Sequence, residues 1–250
     1  MSSIHTNNQP YGSGNTDKSI TTVAIHQPNF LPWLGYFHKI IKSDIFIFLD
    51  DVQIQRGSSS WTNRVQINID GMPRWLSAPI GRKSGVTQII NQTEFADLSW
   101  FLKYHRTIDM AYSKAPHHKK VMNLIDKLFD SPSINVAQFN ENSTYNILRF
   151  LELETPKMIR SSTLDVFGSG TDRLINLINA VGGGHYLCGG GSESYLKPEK
   201  FLEASIQLSL QNFESHEYPQ LRTEHFIPGL SIIDALMMIG PKQTVEELLV

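Results

Sequence analysis

Cysteine is nearly absent: among 250 residues only Cys188 carries a thiol. One thiol forbids an intramolecular disulfide and offers no metal cluster, a usage that suits a reducing, cytoplasmic setting. Long apolar runs are missing too. None approaches the roughly 20 residues needed to cross a bilayer, so no membrane span is expected. An excess of either charge is also lacking. Lys and Arg number 22 against 24 Asp and Glu, a formal net charge of −2, which leaves no whole-chain footprint for nucleic acid. Standard catalytic strings are absent: there is no Gly-Lys-Ser/Thr phosphate loop, no GxGxxG at the first strand, no HExxH, no paired zinc spacing and no GxSxG. No metal site is expected and no cofactor is specified. The first 19 residues are polar, nearly uncharged and rich in Ser, Asn and Gly, without the basic and apolar regions of a signal peptide; they read as a disordered tail.

A hydrophobic content of 40% supports one large core, and a single α/β domain is expected over 20–250. Its organising stretch is Thr21 to Gln53. Thr21 to Ile25 is β-branched and stops at His26-Gln27-Pro28, where proline cannot continue a ladder. Pro28 and Pro32 fix φ in the loop that follows, so Asn29 and Trp33 are presented on a preorganised rim. Leu34, Phe37, Ile40 and Ile41 recur at helical spacing, and Ile45 to Leu49 is a continuous apolar run suited to a parallel sheet. The pattern is βαβ. Ligands in such units bind beyond the carboxyl ends of strands, here His26-Gln27 and Asp50-Asp51-Val52-Gln53, although a loop histidine and turn-forming aspartates are the bland alternative.

Downstream, Arg56 to Ser60 reads as a flexible loop, and Val65, Ile67 and Ile69 alternate with polar residues. Asp70-Gly71 turns the chain into a returning strand, Arg74 to Ile80, giving an inserted hairpin. A third short strand can be drawn at Val86 to Ile90, after a basic Gly81–Gly85 loop of the kind that sometimes wraps a phosphate. Residues 97–151 carry helical periodicity in three runs, broken at Pro116 and capped near Asn135, and form an expected helical cap subdomain. His117-His118-Lys119-Lys120 reads as an ordinary helix start, because adjacent helical residues diverge and chelate poorly. The βαβ rhythm then resumes: strand Lys157–Ser161, helix Thr171–Val181, a four-residue strand His185–Cys188 bracketed by triple glycines, and a strand Ile206–Leu210. Ser231 is a cap, with Asp234 placed to complete a capping box. The expected fold is Rossmann-like, a mostly parallel sheet opened by the βαβ unit.

The glycines beside Cys188 let backbone approach a ligand closely, which brings Gly190, Ser192, Glu193 and Tyr195 into the candidate site. Cys188 itself reads as a small buried hydrophobe. Asn63 and Arg64 join from the hairpin, Arg64 as a bidentate binder of phosphate or carboxylate. His26 and His185 are the groups able to move a proton near neutral pH, with Asp50 as their acidic companion. The candidates are thus His26, Asp50 and His185 for catalysis, and Gln27, Asn29, Trp33, Gln53, Asn63, Arg64, Gly190, Ser192, Glu193 and Tyr195 for substrate.

The string from His26 to Phe37, then Leu49-Asp50-Asp51-Val52-Gln53, Trp61-Thr62-Asn63-Arg64, Tyr195-Leu196 and Leu230 to Asp234 resemble the WbqC-like protein family over about residues 21 to 240. The resemblance implies bacterial origin and association with surface polysaccharide, notably O-antigen, gene clusters. A strand, a proline-containing loop and a glycine-bearing helix start are also similar to the opening of the HxGH nucleotidyltransferases. The matching stretch here is Trp33-Leu34-Gly35-Tyr36, which lacks both histidines. The expected activity is transfer of a small acyl or aminoacyl group to a nucleotide-linked sugar. The alternatives are a divergent nucleotidyltransferase and a non-catalytic sugar-nucleotide-binding assembly protein. A small-molecule partner, nucleotide sugar or acyl donor, is expected, and a homodimeric state stays open.

Overall fold

A computed structural model describes residues 20–54, 60–81, 87–190 and 196–250. The expected tail, most of the Arg56–Ser60 and Gly81–Gly85 loops, and Ser192, Glu193 and Tyr195 lie outside the described residues. Strand β1 (Thr22–His26) leads into helix α1 (Leu34–Ile41) and strand β2 (Ile45–Phe48). An antiparallel hairpin follows, β3 (Arg64–Ile69) and β4 (Met72–Ser77), then three helices, α2 (Trp100–Ala111), α3 (His118–Asp130) and α4 (Val136–Phe150). Strand β5 (Lys157–Arg160), helix α5 (Gly170–Ala180), strand β6 (His185–Cys188), helix α6 (Pro198–Glu203), strand β7 (Gln207–Leu210) and helix α7 (Ile232–Leu249) complete the chain.

The five parallel strands stand in the order β5-β2-β1-β6-β7. Successive strands are laid to one side of β1 and then to the other, the Rossmann arrangement. Side chains alternate across the sheet with period two. Ala24, Phe46 and Phe48 face a core shared with α1, the hairpin, α2–α4 and α7, whereas Val23, Ile25, Ile45, Ile47, Tyr186 and Cys188 face a second core with α5 and α6. Both faces of β2 are therefore buried, which explains its uninterrupted apolar run; truncating fully buried Phe46 to alanine should cost about 3–5 kcal/mol. Among the described residues no helix is long and apolar enough to cross a membrane.

The proline loop between β1 and α1 is held from three sides. Phe30 N donates to Trp61 O at 2.9 Å, Asn140 Nδ2 donates to Pro28 O at 2.9 Å, and Ser231 Oγ donates to Leu31 O at 2.7 Å. These bonds hold Leu31 at φ 41°, a left-handed conformation costly for a branched side chain, so the rim is rigid at the expense of local strain.

Two local expectations are corrected. Of the candidate strand at Val86 to Ile90, Val86 lies outside the described residues and Thr87 to Ile90 form no strand: Ile89 makes one isolated bridge to Gln53, and Ile90–Gln92 is a 3-10 turn. Asp234 completes no capping box, because Ser231 N donates to Gln66 O; Asp234 instead accepts from Tyr112 Oη (2.9 Å), Tyr218 Oη (3.0 Å) and Gln220 Nε2 (3.0 Å). Burial raises the Asp234 carboxyl above its usual range. Helix α7 is also kinked at Gly240 (φ 75°), where the His117 ring packs so closely that a Cβ would meet it at 2.6 Å. Ser231 and Asn135 do cap as expected, accepting from Ile233 N and Gln138 N.

Candidate functional site

In a sheet of this order the chain parts on either side of β1, and the crevice opens at the carboxyl ends of β1 and β6. A cavity of about 1190 Å³ lies there. His26 and Gln27 border it after β1, Gly189 and Gly190 after β6, and Tyr36 and Lys39 enter from α1. Trp33, Trp61, Phe213 and Tyr218 form an aromatic wall, with Trp33 and Trp61 rings 5.1 Å apart, and Arg173 and Leu174 of α5 close the other side. The irregular segment 211–230 supplies Phe213 and Tyr218. Gln211 Nε2 donates to Gly35 O (2.7 Å) and Tyr218 is tied to buried Asp234, so both ends of this wall are anchored to helices.

The cleft holds His26 neutral. Burial pushes its pKa down to about 3, nearby Lys39 adds to the effect, and the hydrogen bond to Gln27 works the other way. Because the partner of Nδ1 is the Gln27 carbonyl, at 3.1 Å, Nδ1 carries the proton and Nε2 keeps its lone pair. Tyr36 Oη donates to the same carbonyl at 3.1 Å, and its ring meets His26 edge-on at 4.9 Å. Burial pushes the Tyr36 hydroxyl up, so it remains a donor. Lys39 donates from Nζ to Ile25 O at 2.9 Å, and burial pushes its pKa down to about 8. Tyr36 and Lys39, three residues apart, thus share the helix face that meets the carbonyls at the end of β1.

Of the expected site residues, His26, Gln27, Asn29, Trp33 and Gly190 come together around the cavity. Others do not join them. His185 begins β6 and so sits at the amino end of the sheet, with Nδ1 3.0 Å from Thr22 Oγ1 and Nε2 2.7 Å from Ser209 Oγ. Asp50 follows β2, a strand removed from the crevice. Its carboxylate accepts from Ser162 N (3.0 Å), Ser162 Oγ (2.7 Å) and Asn91 Nδ2 (3.2 Å), binding three loops together, while the nearby Ser161 hydroxyl donates to the closer Asp51 carboxylate (2.5 Å). Gln53 is exposed in its bridge to Ile89. Asn63 braces the hairpin by donating to Ala78 O, and Arg64 lies over the Trp75 ring at 4.0 Å, outside the cavity. Cys188 is fully buried and donates to Ser209 O, as a small core residue would.

Sequence reasoning missed Lys39, Arg173, Gln211 and the 211–230 aromatics. A lysine between His38 and Ile40 in a short helix carries no local sign of burial. Arg173, in the first turn of α5 beside Asp172, lines the cavity and pairs with Asp51. The triad His26, Tyr36 and Lys39 can hold a polar substrate group against a neutral acceptor and a cation, while the indoles offer faces for stacking.

The model of the WbqC-like protein family matches residues 27–246, and the chain belongs to that family. Rv1507c, an uncharacterized protein of Mycobacterium tuberculosis, is 28% identical over 220 residues, covering 87% of this chain and 94% of the relative. No solved structure matches.

Proposed function

We propose that this member of the WbqC-like family acts in the biosynthesis of bacterial surface polysaccharide, as an enzyme that transfers a small acyl or aminoacyl group to a nucleotide-linked sugar. The observation that carries the reading is the cleft itself: a switch-point crevice in a Rossmann-ordered sheet, large enough for a two-part ligand, with neutral His26 beside an indole wall. Stacking on Trp33 and Trp61 suits a sugar ring or a base.

In this reading the acceptor amine or hydroxyl of the sugar donates a hydrogen bond to His26 Nε2. Its low basicity suits late proton transfer: the attacking atom becomes acidic only as its bond to the acyl carbon forms, and His26 takes the proton then. As the bond from that carbon to its carrier breaks (the C–S bond of an acyl-coenzyme A donor), His26 returns the proton to the departing thiolate. Gln27 O and Tyr36 hold the imidazole in that tautomer. Backbone at Gly189 and Gly190 approaches the acyl oxygen without a side chain in the way.

A thermal-shift screen of the full chain against nucleotide sugars, acyl-coenzyme A species and nucleoside triphosphates tests this, followed by mass spectrometry of the sugar. A ligand at 100 times its Kd adds about 2.7 kcal/mol of stability. The expected result is stabilisation by a nucleotide sugar and a mass gain of one acyl group. Stabilisation by triphosphate with pyrophosphate release would instead establish a nucleotidyltransferase, and stabilisation by a nucleotide sugar without turnover against any donor an assembly protein.

A further inference from the structure

Lys39 carries a charge that nothing among the described residues neutralises. Only 3% exposed, it points from α1 to the end of β1, and Nζ donates to one partner, Ile25 O. Among the described residues no carboxylate pairs with it. Of the described acids near the cavity, Glu214 and Glu217 are exposed on its rim and Asp51 is taken by Arg173. The groups around Nζ are the neutral His26 imidazole, the Cys188 thiol and position 189, where a Cβ would stand 3.7 Å away. A buried ammonium with one neutral hydrogen bond is heavily penalised, and folds retain such a group where something else supplies the counter-charge.

A second cation borders the same cavity. Arg173 reaches it from α5, on the other face of the sheet, spending a terminal nitrogen on Asp51 while its buried Nε has no partner among the described residues. One uncompensated charge and one spare donor, contributed from two helices, suit an anion that extends between them better than a single carboxylate.

We infer that Lys39 is the anion-binding residue of the cleft and takes the diphosphate of the nucleotide-linked sugar, with Arg173 Nε as the second contact. The inference rests on the nucleotide-sugar reading above and adds which atoms hold the ligand. It also gives the low-lying proton of Lys39 a use: the diphosphate keeps the ammonium charged, and the sugar is left to His26 and the indoles.

Calorimetric titration of the full chain with inorganic pyrophosphate, with acetate as the carboxylate arm, tests it in wild type and Lys39→Met. The expected result is pyrophosphate binding that weakens roughly thirtyfold or more in Lys39→Met, the lower edge of what removing one partner of a buried charge pair costs. The melting temperature of the variant should be no lower than that of wild type. Unchanged affinity in Lys39→Met, acetate binding in place of pyrophosphate, or no pyrophosphate binding at all would overturn the inference. So would a variant that fails to fold, since a lysine the fold requires is not one held for a ligand. In wild type, pyrophosphate should also slow modification of Lys39 by a small amine-acylating reagent, read by peptide mass spectrometry; a Lys39 that reacts equally with and without it, or that no reagent reaches, would count against the site. If pyrophosphate binds through Lys39 and no nucleotide sugar does, the anion site stands and the tailoring reading falls; if a nucleotide sugar binds equally to Lys39→Met, the reverse holds.

Discussion

At the amino end of the sheet, His185 has a hydroxyl partner for each ring nitrogen, Thr22 on β1 and Ser209 on β7. At the carboxyl end, His26 on the adjacent strand gives Nδ1 to its neighbour's carbonyl and keeps Nε2 open. The glycines divide in the same way. A Cβ at Gly183 would crowd Val23 and stand 2.8 Å from Ile178 Cγ2, whereas one at Gly189 would make ordinary contact with Lys39 at 3.7 Å. The two ends hold similar residues under opposite conditions: at one, polar groups are satisfied and small residues permit packing; at the other, a half-buried histidine and a buried lysine are left short of partners among the described residues. Saturated polar groups stabilise, and unsaturated buried ones cost stability unless a ligand completes them.

The largest contrast should come from His26 set against Asp50. His26→Ala should lower turnover roughly 10²–10⁴-fold, the range for loss of a proton-transfer group, with little change in melting temperature. Asp50→Ala should do the opposite, because it strips three donors of their acceptor; a loss of about 2–4 kcal/mol is expected, with turnover per folded molecule preserved. Denaturation and assay of both variants would break the comparison if Asp50→Ala folded normally and lost activity.

Lys39 sharpens it through pH. The folded ammonium loses its proton near pH 8, below its ordinary 10.5, so the unfolded chain binds the extra proton across that window and wild-type stability should rise with pH from about 8 to 10.5. The span corresponds to about 3 kcal/mol. Lys39→Met should be more stable than wild type by up to that amount at pH 7 and should lose the rise; denaturant melts at pH 7 and 10 check both. Nucleotide-sugar affinity should fall in wild type as pH climbs past about 8. His26 bears on the acid side. With its pKa pushed down to about 3, below the usual 6.5, it should make stability fall as pH drops from 6.5 toward 3.

Glycine substitutions give smaller effects. Gly183→Ala should cost about 1–3 kcal/mol through overpacking without touching affinity, and Gly189→Ala should leave stability within about 0.5 kcal/mol while weakening ligand binding by covering Lys39. Smallest is His185→Ala, expected to cost about 1 kcal/mol with activity retained.

Much of the fold was legible because it is local. Period-two strands and 3.6-period helices placed every element of the parallel sheet to within a residue or two, and the switch point follows from strand order once β1 is central. The false strand at Val86–Ile90 arose from three apolar residues in five, too short a run to distinguish a strand from a bridge and a turn. The site was legible only in part. Chain direction alone assigns His185 to the amino end of a parallel strand, whereas the exclusion of Asp50 requires knowing that β2 lies off the crevice, which no local pattern carries. Lys39 and Arg173 escaped for the same reason: their burial is made by segments far away in sequence, β6 and the loop after β2.

The central claim is that the carboxyl end of β1 and β6 is the ligand-binding end, and a crystal structure of the full chain with the nucleotide sugar that gives the largest thermal shift tests it most directly. Diphosphate oxygens are expected within hydrogen-bond reach of Lys39 Nζ, with a sugar or base stacked on Trp33 or Trp61. A ligand bound elsewhere, with the Lys39 cleft empty, would contradict it.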